Sequence, residues 1–172
     1  MLDRGSLLHL IQNSPPLLAG FPSLDQQLQP NGFDLTLCQV ARLTSAGYMG
    51  KGPDQRELSD TQLLEFDRAG WLHLAAGSYL ITFNEVVKLP LDLMALGRPR
   101  SSLLRSGVSI HTAVWDAGYE GRSQALLSVY NPAGYQVERD ARMLQLVFFR
   151  LEHPLNQGYQ GRFLGENLPQ PV

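Results

Sequence analysis

Short apolar stretches, interrupted at close intervals by glycine, proline or asparagine, constrain this chain more than any other feature. Phe33 to Val40 alternates, with Phe33, Leu35 and Leu37 on one side and Asp34, Thr36 and Cys38 on the other. Trp71 to Leu74, Gly77 to Leu89, Gly107 to Val114, Ala125 to Tyr130 and Met143 to Leu151 continue the series. Strand-length runs bounded by turn residues predict a mainly β protein, built as a sandwich or a barrel. One helix is expected at the start, where Leu7, Leu8, Leu10 and Ile11 keep a helical rhythm. Asp3 or Ser6 would cap it, and Asn13-Ser-Pro-Pro would stop it. Ser59 to Phe66, Leu91 to Leu96 and Ser101 to Ser106 have the composition of short helical turns, the last closed by Gly107.

With 172 residues the chain fits one domain, and 44% hydrophobic against 17% charged residues marks it as globular. The net charge of −2 supplies no broad basic field, so no nucleic-acid partner is expected and any anion site must be a local cluster. No apolar run approaches the roughly 20 residues of a membrane span, and Met1 to Gln12 lacks the core of a secretory signal. Cys38 is the single cysteine, which excludes an internal disulfide and points to the cytoplasm. His9, His73, His111 and His153 are scattered, so no protein-built metal site is expected.

The stretch from Pro99 to Gly121 concentrates the chemistry. Arg100, Ser101, Ser102 and Arg105 place cations and hydroxyl donors within six residues. A triphosphate, with roughly four negative charges, requires such donors together with free backbone N–H groups. The same residues would also suit a solvated surface helix. Asp116 follows an apolar run and precedes Ala-Gly-Tyr, as either a turn former or a general base for water. Tyr119 is positioned to lay its ring against a sugar, or to start a strand. Gln145 lies inside the apolar run Ala141-Arg-Met-Leu-Gln-Leu-Val-Phe-Phe149 and must find hydrogen-bond partners, in backbone or ligand. The segment 158–172, rich in Gly, Gln, Asn and Pro, follows a domain of residues 1–157 and reads as a flexible tail that could close over the site, or as a surface loop.

In order and spacing these segments resemble the trimeric dUTPase and dCTP deaminase superfamily, most closely its archaeal-type dUTPase branch. Gln27-Leu-Gln-Pro-Asn-Gly-Phe-Asp-Leu-Thr-Leu37 is similar to the family's QxQPxxxDL stretch. Gly77 to Val87 resembles the strand ahead of the phosphate motif, and Pro99 to Gly107 the RSSLxRxG motif itself. Trp115 to Gly121 resembles the DxxYxG motif, and Gln145 falls in the ARxxQLVF strand. The resemblance implies a distorted β-barrel or jelly roll of the β-clip type with a short N-terminal helix. It implies a homotrimer with active sites between subunits, and Mg2+ held mainly by substrate phosphates. The activity implied is dUTP diphosphatase: Asp116 activates a water for attack on the α-phosphorus, giving dUMP and pyrophosphate. Arg100, Ser101, Ser102, Arg105 and Gln145 would bind phosphate. His111, Thr112, Ala113 and Tyr119 would face base and sugar, and Gln160 and Arg162 would reach the ligand from the tail.

The deaminases carry a glutamate for proton transfer on the strand that follows the DxGxxG motif. Counted back from Asn131, the matching position is Ser128, and no carboxylate occurs between Gly121 and Asn131. Glu120 and Gln124 are the nearby polar substitutes. A dCTP deaminase, a bifunctional enzyme and a non-catalytic nucleotide-binding protein remain the alternatives.

Overall fold

The computed structural model describes residues 1–52 and 54–168; the last four residues of the expected tail, 169–172, lie outside them. Helix α1 (Arg4–Gln12) opens the chain, and the Asp3 side chain caps it by accepting from the Ser6 amide at 3.0 Å. Leu7 and Ile11, one turn apart, are the residues it buries. There follow β1 (Leu18–Ala19), α2 (Leu24–Gln27), β2 (Leu28–Gln29) and the long β3 (Gly32–Leu43). The hairpin of β4 (Tyr48–Met49) and β5 (Arg56–Glu57) precedes β6 (Thr61–Leu63), β7 (Trp71–Leu74), β8 (Gly77–Phe83) and β9 (Val86–Lys88). Next come β10 (Leu93–Pro99), α3 (Ser101–Arg105), β11 (Val108–His111), β12 (Val114–Trp115) and β13 (Glu120–Gly121). The last strands are β14 (Gln124–Val129), β15 (Tyr135–Glu138) and β16 (Arg142–Arg150).

The principal sheet runs β11-β14-β8-β3-β16-β10-β12, with β2 and β6 attached to β3. Its end strands, β11 and β12, are consecutive in the chain and joined only by Thr112 and Ala113. So short a link spans at most about 11 Å, so the sheet must curl to bring these two edge strands near each other at that point. The expected distorted barrel is the result. Phe33, Phe83, Phe148, Leu35, Leu37, Ile81, Leu93 and Leu127 are fully buried inside it.

Two helical expectations fail. Thr61–Leu63 is strand β6, paired with Ala41 to Leu43, and Leu93–Pro99 is strand β10, paired in seven register positions with β16. Leucine's helical preference amounts to tenths of a kcal/mol, and a full ladder between two strands outweighs it. Gly77 to Leu89 is not one strand either; it breaks at Asn84 and Glu85, whose side chains turn to Thr36.

The polar side of β3 is covered as well. Asp34 and Thr36 are each only 2% exposed. Beneath them Glu85, with no exposed surface, accepts from Gln27 Nε2 (2.7 Å), the Thr36 amide (2.9 Å) and Thr36 Oγ1 (2.6 Å). The Ser23 amide donates to Gln27 Oε1 and Asn84 donates to Thr36 Oγ1, which ties this network to the neighbouring segments.

Candidate active site

Strand β12 ends on Trp115, and the chain then turns sharply: the Tyr119 amide donates to the Asp116 carbonyl at 3.0 Å. Gly118 holds φ of 83°, and a Cβ there would stand 2.6 Å from Gly158 Cα, so only glycine fits. Trp115 and Ala117 are buried on either side, which leaves the Asp116 carboxylate facing outward. It lines a cavity of about 630 Å3 with His111, Ala113 and Tyr119. Leu43, Leu58, Leu80, Val114 and Leu126 make much of the wall apolar. His111 Nε2 lies 3.1 Å from the Tyr130 hydroxyl.

Three further walls, Tyr159, Phe163 and Glu166, come from the segment expected to be a tail. The Tyr159 amide donates to the Ala117 carbonyl (2.8 Å), the Gly165 amide to Glu120 (2.7 Å) and the Arg122 amide to Glu166 (2.9 Å). The Tyr119 hydroxyl donates to Glu166 Oε1 at 2.8 Å, and the Tyr119 and Tyr159 rings meet edge to face at 6.0 Å. Burial pushes the Glu166 carboxyl above the ordinary glutamate range, opposed by that hydrogen bond. Burial, and then the Glu166 contact, pushes the Tyr119 hydroxyl upward too, so it stays a donor. No short motif marks Glu166 in the sequence.

The cationic residues gather elsewhere. Arg100 is the N-cap of α3 without any side-chain cap, Ser101 is its first residue, and Gly107 (φ 69°) follows its end. Arg105 folds back, its Nη1 donating to the Ser101 carbonyl at 3.1 Å. Arg100 Nε lies 3.3 Å and Arg142 Nη1 3.5 Å from the same Asp34 oxygen. Burial raises the Asp34 carboxyl, and the two arginines oppose that rise. Gln145 stands opposite Arg98 on β10 and Asp34 on β3, within the same patch. Asp34 and Arg142 therefore join the expected clamp, although neither was singled out from sequence.

Arg100, Ser101, Ser102, Arg105 and Gln145 do not line the cavity that holds Asp116. Gln160 and Arg162 are exposed and do not line it either, while their neighbours Tyr159 and Phe163 do. Thr112 also lies outside it; a Cβ on Gly97 would come within 3.2 Å of its methyl. Along β14, Gln124 and Leu126 face the cavity, whereas Ser128 is buried between Ser78 and Ser109. Gln124 Nε2 is engaged with Thr82 Oγ1 at 2.9 Å. Strand β14 thus offers no carboxylate to the cavity, whichever of these positions is matched to the deaminase glutamate. Among the described residues no three His, Cys, Asp or Glu side chains converge as metal ligands. Nor is any described helix long and apolar enough to cross a membrane.

Known proteins match this architecture closely. The dCTP deaminase-like family model matches residues 1–151. A Methanosarcina mazei protein named "Probable deoxyuridine 5'-triphosphate nucleotidohydrolase" is 43% identical over 167 residues, spanning 97% of this chain and 98% of its own. An Archaeoglobus fulgidus protein of the same name is 46% identical over 168 residues, 98% of each. Among solved structures, the 2'-deoxycytidine 5'-triphosphate deaminase from Agrobacterium tumefaciens superposes with a TM-score of 0.67 at 26% identity, over 88% of this chain and 48% of that longer one. With its matched residues running from α1 through β16, the chain belongs to the dCTP deaminase-like family.

Proposed function

We propose that this chain is a dUTP diphosphatase, cleaving dUTP to dUMP and pyrophosphate. The observation that carries the reading is the division of carboxylates: Asp116 stands in the cavity, while β14 presents only Gln124, Ala125 and Leu126 there, none of them acidic. Hydrolysis at phosphorus needs one base beside a water; deamination needs a proton shuttle beside the pyrimidine ring, and β14 lacks one. The near full-length archaeal relatives carry the dUTP nucleotidohydrolase name, which favours the same choice.

In the reaction, Asp116 accepts a proton from water as the water oxygen bonds to the α-phosphorus. The bond from that phosphorus to the bridging oxygen breaks, and pyrophosphate departs. Arg100 and Arg105, with the hydroxyls of Ser101 and Ser102 and the Gln145 amide, bind the phosphates and offset their charge. Mg2+ held by the substrate phosphates would add to the charge compensation that Arg100 and Arg105 supply. Backbone groups of the 109–114 segment, including His111 and Ala113, read uracil and leave no space for a thymine methyl. Such steric exclusion is needed because one methyl is otherwise worth only about 1–3 kcal/mol. Tyr119 faces the deoxyribose.

Because clamp and cavity do not meet within one chain, the reading places the site between subunits of a homotrimer. One protomer lends the clamp and its neighbour lends Asp116 and the pocket, in the cytoplasm. The test is incubation with dUTP, dCTP and dTTP in the presence of Mg2+, with pyrophosphate and ammonia measured separately. Pyrophosphate from dUTP alone is expected. Ammonia from dCTP would replace this reading with the deaminase.

A further inference from the structure

The cavity holds a second carboxyl that the proposed reaction does not use. Glu166 sits on the same wall as Tyr119, whose buried hydroxyl donates to it at 2.8 Å. Backbone bonds on both flanks fix its position: Gly165 to Glu120 and Arg122 to Glu166 itself. Opposite, Gly121 leaves only room for hydrogen, since a Cβ there would come within 2.7 Å of the Tyr119 hydroxyl and 3.2 Å of Glu166 Cγ. Tyr159 closes the ring's other side at 6.0 Å. The Tyr119 ring is thus held at its tip by one acceptor.

We infer that Glu166 is a positioning residue for the sugar subsite, holding Tyr119 where its ring packs on a 2'-deoxyribose and leaves no space for a 2'-hydroxyl. The inference rests on the dUTP reading above. A carboxylate pointing at a tetra-anionic nucleotide would repel it, so binding energy alone gives no reason for Glu166 to stand in this cavity. A tyrosine hydroxyl that must stay fixed and buried supplies one, because an orphaned hydroxyl is costly and the ring would swing to find water. Glu166 acts through Tyr119 and touches no reacting atom.

The test compares Glu166→Ala, Glu166→Gln, Tyr119→Phe and the Glu166→Ala/Tyr119→Phe pair in the full chain, with Mg2+ and either dUTP or UTP. Losing one net hydrogen bond predicts a rise of about fivefold in KM for dUTP in Glu166→Ala, with kcat changed less than about twofold. The preference for dUTP over UTP falls by a similar factor. Glu166→Gln, which keeps an acceptor oxygen, restores most of both losses, and the double variant is no worse than either single one. Unchanged selectivity in Glu166→Ala, or losses that multiply in the double variant, would overturn the inference while dUTP cleavage stands. Wild-type protein that neither binds nor cleaves dUTP would instead remove the reading beneath it.

Discussion

The clamp and the cavity are built in contrasting ways. The clamp is mostly local: Arg100, Ser101, Ser102 and Arg105 follow one another into α3, and only Asp34, Arg142 and Gln145 arrive from β3 and β16. The cavity is assembled from distant stretches, the β6 region near residue 60, the 111–126 segment and residues 159–166. The clamp is cationic and braced by a buried carboxylate, Asp34; the cavity is largely apolar and contains two carboxyls, Asp116 and Glu166. A polyphosphate suits the first and a nucleoside the second, yet one chain does not bring them together. What the contrast teaches is that the cation cluster and the cavity are separate regions of one chain, which is what the proposed site between subunits would have to join.

The largest effect that could break this picture is at Asp116. Asp116→Asn is expected to lower kcat by about 10²–10⁴-fold with nucleotide affinity retained, measured by pyrophosphate release and by calorimetry. A loss under tenfold would assign the base elsewhere. Next comes complementation. Asp116→Asn and Arg105→Ala are each expected to be inactive alone, yet co-refolded as an equal mixture they should regain about a quarter of wild-type activity, because sites drawing each half from the intact parent arise at that frequency. No recovery would mean that clamp and carboxylate serve one chain.

Beneath the clamp lies the Glu85 network, and a smaller effect is expected there. Glu85→Ala leaves Gln27, the Thr36 amide and the Thr36 hydroxyl without their acceptor, so stability should drop by about 3 kcal/mol in denaturant unfolding. A drop confined to the cavity side would show that the network does not support β3.

The smallest effect is a pH dependence on the cavity side. Because burial raises Glu166 above its unfolded value, the folded chain keeps a proton there that the unfolded chain releases. Its contribution to stability is therefore present below the ordinary glutamate value and is lost as pH rises through the raised one. Melting temperatures should fall across that window, and Glu166→Gln should flatten the fall. An identical slope in both proteins would place the proton on another group, with Glu85, raised in the same direction, the next to test.

Much of this is legible in the amino-acid sequence. The N-terminal helix and its Asp3 cap, the strand at Trp71–Leu74, α3 with Gly107 behind it, and the turn carrying Asp116 all follow from local spacing and turn chemistry. Leu93–Pro99 and Thr61–Leu63 did not, because short leucine-bearing stretches fit helix or strand equally until a partner strand selects one. Gln160 and Arg162 were the expected ligand residues of the final segment, yet Tyr159, Phe163 and Glu166 face the cavity. Which residues point inward there depends on the bonds from Tyr159 to Ala117 and from Gly165 to Glu120, not on composition.

The amino-acid order alone determined the element types wherever period, cap and turn agreed, and with them the cation cluster and the lone acidic turn. These are properties of a few neighbouring residues, set by backbone sterics and hydrogen bonding within one or two turns of chain. Tertiary structure alone decided that β11 and β12 become the two edges of one curled sheet, that Glu85 gathers Gln27 and Thr36, and that Glu166 meets Tyr119 across 47 positions. Contacts of that kind depend on strand register and on loops that bring remote segments together, and no local pattern encodes either.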